Sequence, residues 1–211
     1  MAETKKVSIH RALVELKNLD DRINSATREA VVVIANRKSN DKINGVPVED
    51  YKKQMQGSYD KVNSLIDYRN RLKSAVVQSN AETKVKVAGE EMTVAQVIDR
   101  KDSIQYKKNL LHSIQLQYRN SVNFVAKENN ALPAKLETYL ISILGHKEKQ
   151  TEEDVKLHTE TFMKRNEHEM IDPINVLKVI TDLEDYIDEF ESEVDAILSE
   201  SNATTFIEIE A

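Results

Sequence analysis

Cysteine is absent from the 211 residues, which excludes a disulfide frame, a thiolate nucleophile and a Cys-ligated zinc or iron–sulfur centre. Tryptophan is absent too, aromatics make up 5 %, and there are four glycines and three prolines. A sandwich or a doubly wound sheet needs many more turn residues, so the composition points to long solvated helices. The longest apolar run is Ala30-Val31-Val32-Val33-Ile34-Ala35, far too short to cross a bilayer. The opening Met-Ala-Glu-Thr-Lys-Lys has no apolar core behind its lysines, so no secretory signal is expected.

Charged residues make up 31 % of the chain, and the net charge of −6 conceals a split. Residues 1–120 carry 22 Lys/Arg against 15 Asp/Glu, whereas residues 121–211 carry 8 against 21. From Asp182 to Glu200 there are nine acidic residues and no basic one. An acidic C-terminal helix lying against a basic N-terminal half accounts for this, as do ends that seek neighbouring subunits. Nucleic-acid binding does not fit, because the lysines are interleaved with acids and form no run of five or six.

Ser8 is a good N-cap, and Ile9, Leu13, Leu16, Ile23, Ala30 and Ile34 follow at helical spacing, predicting a helix from about Ile9 to Arg37. Asn44-Gly45 between apolar residues predicts a tight turn. Glu49 and Asp50 then suit the start of a second long helix with Met55, Tyr59, Val62, Ile66, Leu72 and Val76 as its stripe. Lys84-Val85-Lys86-Val87 alternates, Ala88-Gly89 turns, and Met92-Thr93-Val94 returns as a hairpin. Thr93 with Gln96 forms a capping box that launches a third helix, with Val97, Ile98, Ile104, Leu110, Leu111, Ile114 and Val122 as its stripe. Ala131-Leu132-Pro133 predicts a separate short helix closed by Gly145. Thr151 caps another helix to about Glu169, and Asp172-Pro173 opens the last, ending near Ser199.

Ser79-Asn80-Ala81-Glu82-Thr83 and the strand behind it are echoed by Ser201-Asn202-Ala203-Thr204-Thr205 and Phe206-Ile207-Glu208-Ile209. The simplest expectation is a three-stranded patch in which Phe206, Ile207 and Ile209 join the hairpin edge at Val85 and Val87, since a lone hairpin is marginal. The fold expected is therefore all-α: an elongated, coiled-coil-like bundle of long antiparallel helices with a small β patch at one end. It forms a single domain over residues 1–211, with residues 121–170 as a helical insertion.

The stretches Ala12 to Ile23, Ser79 to Thr83, Gly89 through Asp102 and the last helix into Ser201–Thr205 resemble the septicolysin-like family of bacterial and phage-encoded helical proteins. The resemblance covers most of residues 7–120 and about 171–209, and residues 121–170 look like an insertion that shorter relatives lack. It implies a helical fold and a phage-related setting. It brings no catalytic or binding residue, and the cytolysin in the family name is not carried over.

The chemistry-bearing residues form no catalytic pattern. His10, His112, His146, His158 and His168 make no His-Glu-x-x-His pair, and Glu167-His168-Glu169 are consecutive, so on a helix they point in different directions. Phosphate-loop, dinucleotide and nucleophile-elbow motifs are absent. Tyr68, Tyr106, Tyr118 and Tyr139 lie on helical stripes and read as core-edge packing. No catalytic residue, cofactor or metal is expected. The function expected is a non-enzymatic structural or assembly protein forming helical homo-oligomers, in the cytoplasm or in a phage virion. It would have protein partners, without nucleic acid or membrane. Alternatives are a regulator that recognises a partner through residues 121–170 and, less well supported, a pore-forming lysin.

Overall fold

The computed structural model describes residues 4–145 and 151–210. In chain order the elements are β1 (Thr4–Ser8), α1 (Ile9–Glu29), β2 (Lys42–Ile43), β3 (Val46–Pro47), α2 (Val48–Glu82), β4 (Lys84–Val87), β5 (Glu90–Thr93), α3 (Val94–Leu144), α4 (Glu152–Asn166), α5 (Val176–Thr204) and β6 (Phe206–Glu210). The fold is mostly helical with three small antiparallel strand pairs, β1–β6, β2–β3 and β4–β5. Two compact units emerge, one of residues 1–102 with 189–211 and one of residues 103–188. The second is wider than the 121–170 insertion read in the sequence, and α3 and α5 each supply residues to both.

In the first unit α1 and α2 are antiparallel. Ile9 N, at the start of α1, donates to Thr205 O, and Thr205 and Phe206 share a surface hollow with Ser79 and Thr83 at the end of α2. Val7, Ile9, Ala12, Leu16 and Leu19 meet Leu72 and Val76 of α2 and Ile207 and Ile209 of β6 in one core. Tyr68 lies at its margin, where its hydroxyl donates to Glu15 at 2.8 Å. Burial, and then that carboxylate, push the phenol above its ordinary value.

Several expectations hold. Ser8 caps α1, accepting from Arg11 N, and Asn44 and Gly45 turn β2 into β3 with positive φ at both residues. The Thr93–Gln96 box is closed in both directions. Gly145, at φ 77°, ends α3 by donating to Ile141 O, and Thr151 caps α4. Others are corrected. The first helix stops at Glu29, not Arg37, because Val31 to Ile34 are four consecutive β-branched residues that lose rotamer freedom in a helix. No separate helix begins at Ala131: α3 runs through Pro133, which leaves the Asn129 carbonyl without its helical donor, while neighbouring Leu132 is buried. The last helix begins at Val176, not Pro173. Asp172 accepts from Ile174 N and Val176 N, and Asn175, at φ 55°, interrupts the helical path between them. It ends at Thr204, beyond Ser199, whereas α4 ends at Asn166, short of Glu169.

The three-stranded patch is the main correction. β6 pairs with β1, with Val7 opposite Ile207 and Lys6 opposite Glu208, while Val85 and Val87 pair with Met92 and Glu90. The reason lies in the echo, which extends much further than the Ser-Asn-Ala stretch. Thr83 N donates to Ser79 O as α2 ends, and Thr205 N to Ser201 O as α5 ends. Thr83 O then accepts from Val94 N at the start of α3, just as Thr205 O accepts from Ile9 N at the start of α1. Ser8 and Thr93 occupy the same cap position, and buried Val7, Ile9, Ala12 and Leu19 match buried Met92, Val94, Val97 and Ile104. In the outgoing helices Leu65, Tyr68 and Leu72 match Ile187, Phe190 and Val194. The chain is thus two strand–helix…helix–strand repeats, β1 to β4 and β5 to β6. The second is longer: the separation grows from 85 residues (Ser8 to Thr93) to 122 (Ser79 to Ser201).

Each repeat lends its last strand to the other. Charge explains the choice: β1 and β4 carry Lys5, Lys6, Lys84 and Lys86, whereas β5 and β6 carry Glu90, Glu91, Glu208 and Glu210. Pairing within a repeat in the same register would set Lys6 against Lys86 and Glu91 against Glu208, where the observed ladders set Lys6 against Glu208 and Lys86 against Glu91, and opposed like charges destabilise a ladder.

Candidate interaction surfaces

The five residues predicted to pair with one another divide between two ladders. On β4, Val87 is fully buried and Val85 half-buried; on β6, Ile207 and Ile209 are buried in the α1–α2 core. Phe206 is 54 % exposed beneath the Lys6 ammonium, 5.4 Å from the ring centroid. These strands are interior joints of the fold, and the accessible apolar surface lies elsewhere. One element of the hairpin was not foreseeable from local pattern. Ala88 holds the turn at φ 48°, costly for a residue with a Cβ, and its N–H donates to Glu193 Oε2 of α5 at 3.0 Å.

Among the described residues no group of three or more His, Asp or Glu could hold a metal ion, and the carboxylates of 182–200 assemble no such set. His10 and His112 are exposed, and His146 lies outside the described residues. In the second unit His158 Nδ1 is 3.5 Å from the Tyr139 hydroxyl. His168 is held by Asn129, which accepts from its backbone N–H and donates to its carbonyl, each at 2.8 Å. Its ring meets Phe124 edge-on, with Nδ1 buried and lacking a hydrogen-bond partner. Gln115 donates to Glu184, and the Lys107 ammonium sits 3.6 Å from the centre of the Tyr186 ring. These contacts join helices, and none converges on a reactive group.

Two stretches stand out among the exposed apolar side chains of the described residues. In the first unit Val31, Val32, Val33 and Ile34 are all exposed, Val33 to 83 %, and the segment belongs to no strand pair. In the second unit Ile171 is 86 % exposed, with Ile174 and Leu177 beside it, over a hollow of about 210 Å³ lined by Ile114, Tyr118 and Met170. Only the first was visible in the sequence, where its six apolar residues read as the buried end of a helix. The signal that would have freed it was its run of β-branched residues.

No described helix is long and apolar enough to cross a membrane. Comparison with family models, with curated proteins and with solved structures returns no match.

Proposed function

We propose that this chain is a non-enzymatic structural or assembly protein that forms homo-oligomers, in the cytoplasm or in a phage virion. The observation that supports the reading is the Val31–Ile34 segment: four large apolar side chains in a row, all exposed and outside every strand pair among the described residues. Contiguous exposed apolar surface of this kind marks association sites. The phage setting follows from the resemblance to septicolysin-like proteins. Sedimentation equilibrium of the whole chain tests the assembly reading. A mass that rises above 24.1 kDa with concentration supports it, and a mass of 24.1 kDa throughout overturns it.

The second reading is a regulator that captures a protein partner with the second unit. Exposed Ile171, Ile174 and Leu177 beside the 210 Å³ hollow favour it. Loss of a co-purifying partner on Ile171→Asp, with the oligomer unchanged, would select this reading. A lytic pore former is the least supported, and dye leakage from vesicles tests it.

A further inference from the structure

The segment that follows α1 has the chemistry of a strand without having a partner. Val31 to Ile34 are β-branched, and short segments of high β-propensity, low charge and no proline are those that pair across chains. The six strands among the described residues are already matched two by two. Isolated strand-forming surface is normally covered or charged, and here residues 31–40 are all exposed. Glu29 and Arg37 stand on either side, also exposed and in no ion pair among the described residues.

The segment Glu29-Ala30-Val31-Val32-Val33-Ile34-Ala35-Asn36-Arg37 is apolar on both sides of Val33 and carries opposite charges at its two ends. Laid antiparallel on a second copy with Val33 opposite Val33, it sets Val32 against Ile34 and Val31 against Ala35. At both ends it sets Glu29 against Arg37. α1 ends at Glu29 and Ala30 is already extended, so that opposite-charge pair flanks the ladder at each end. Moving the centre to between Val32 and Val33 sets Glu29 against Asn36 instead of Arg37, and a parallel in-register pairing stacks Arg37 on Arg37. Both lose the complementary ends, and directly opposed like charges are destabilising.

We propose that residues 30–36, flanked by Glu29 and Arg37, form an intermolecular strand, pairing antiparallel with the same segment of a second copy about Val33. The proposal rests on the assembly reading above and names the joint that produces it. It predicts one register, and the absence of cysteine makes that register measurable. Directly opposed residues of an antiparallel pair have Cα atoms about 4.5–5.5 Å apart, within the disulfide range. Two Val32 residues would sit two positions out of step, about 8 Å apart, beyond that range.

The whole chain carrying Val33→Cys, oxidised with diamide, should therefore yield a covalent dimer, whereas Val32→Cys alone should not. An equimolar mixture of Val32→Cys and Ile34→Cys chains should cross-link as a mixed dimer. Each position is exposed, and helical circular dichroism of the variants should match the parent. In the uncross-linked protein Glu29→Arg or Arg37→Glu alone should weaken association at least several-fold, and the double variant should recover it. A parent chain that is oligomeric by mass while Val33→Cys stays uncross-linked overturns this joint and leaves the assembly reading standing. A parent chain that is monomeric by mass, with no cross-link, overturns both. Cross-linking of Val32→Cys as readily as Val33→Cys overturns the register.

Discussion

Thr93 and Gln96 hold each other at the start of α3: Gln96 N donates to Thr93 Oγ1 at 3.2 Å, and Gln96 Oε1 accepts from Thr93 N at 2.8 Å. Thr93→Ala removes the acceptor and should cost about 1 kcal/mol, read as a lower melting temperature. Ser8, whose bond to Arg11 N is 3.4 Å, should cost less when replaced by Ala. An unchanged melting temperature in the Thr93 variant would show that this hydroxyl does not stabilise the helix. Nearby, Lys84 Nζ meets Glu91 Oε1 across the hairpin at 2.8 Å. The contact holds Glu91 below its ordinary 4.5 and Lys84 above its ordinary 10.5. Its contribution is complete between those values. It is lost as pH falls through the depressed Glu91 value, and again as pH rises through the raised Lys84 value. Both groups are solvated, so the stability change is small and the readout is the titration itself. NMR midpoints should be displaced outward for both groups, and Glu91→Gln should return Lys84 to its ordinary midpoint. A Lys84 midpoint that does not respond to Glu91→Gln would remove the pair from the argument.

Removing residues 206–211 tests which strand β6 completes. Loss of β6 should raise amide exchange at Lys5 and Val7 in β1, leave Val85 and Val87 protected, and keep most helical signal. Faster exchange at Val85 instead would restore the three-stranded patch. Elements with a local cause were legible in the sequence. Ser8, Thr93 and Thr151 cap where they stand, Asn44-Gly45 turns, and Gly145 stops a helix, because each effect acts within four residues. What was not legible depended on distant partners. Thr4–Ser8 shows no strand pattern because Val7 is its one apolar residue, and its ladder lies about two hundred residues away in sequence. Ala131-Leu132-Pro133 looked like a helix start because proline favours first turns, yet α3 continues through it with Leu132 buried. As for the candidate site, the apolar stretch 30–35 was plain but was placed inside a helix. Periodicity alone cannot separate a short apolar helix segment from an apolar strand.

At the scale of the chain, the charge split read as an acidic helix against a basic half becomes a rule for pairing repeats. The first repeat has basic outer strands and the second acidic ones, so each can complete only the other's ladder without opposing like charges. The outgoing helices invert in the same sense: Arg69, Arg71 and Lys73 correspond to Glu191, Glu193 and Asp195. Cutting the chain at the Ala88-Gly89 turn should therefore give two fragments that need each other. Residues 1–88 and 89–211, purified separately and mixed, should form a 1:1 complex with the helical signal of the whole chain. Neither alone should form a stable homodimer, since that would align β1 with β4 or β5 with β6. Lys5→Glu with Lys6→Glu in the first fragment should weaken the complex, and Glu208→Lys in the second should restore part of it. Moderate salt should relax this selectivity more than it reduces helicity, because solvated charges are screened whereas the apolar core is not. Equally tight homodimers of either fragment at low salt would show that charge does not direct the exchange, and the strand partners would then have to be set by the core residues alone.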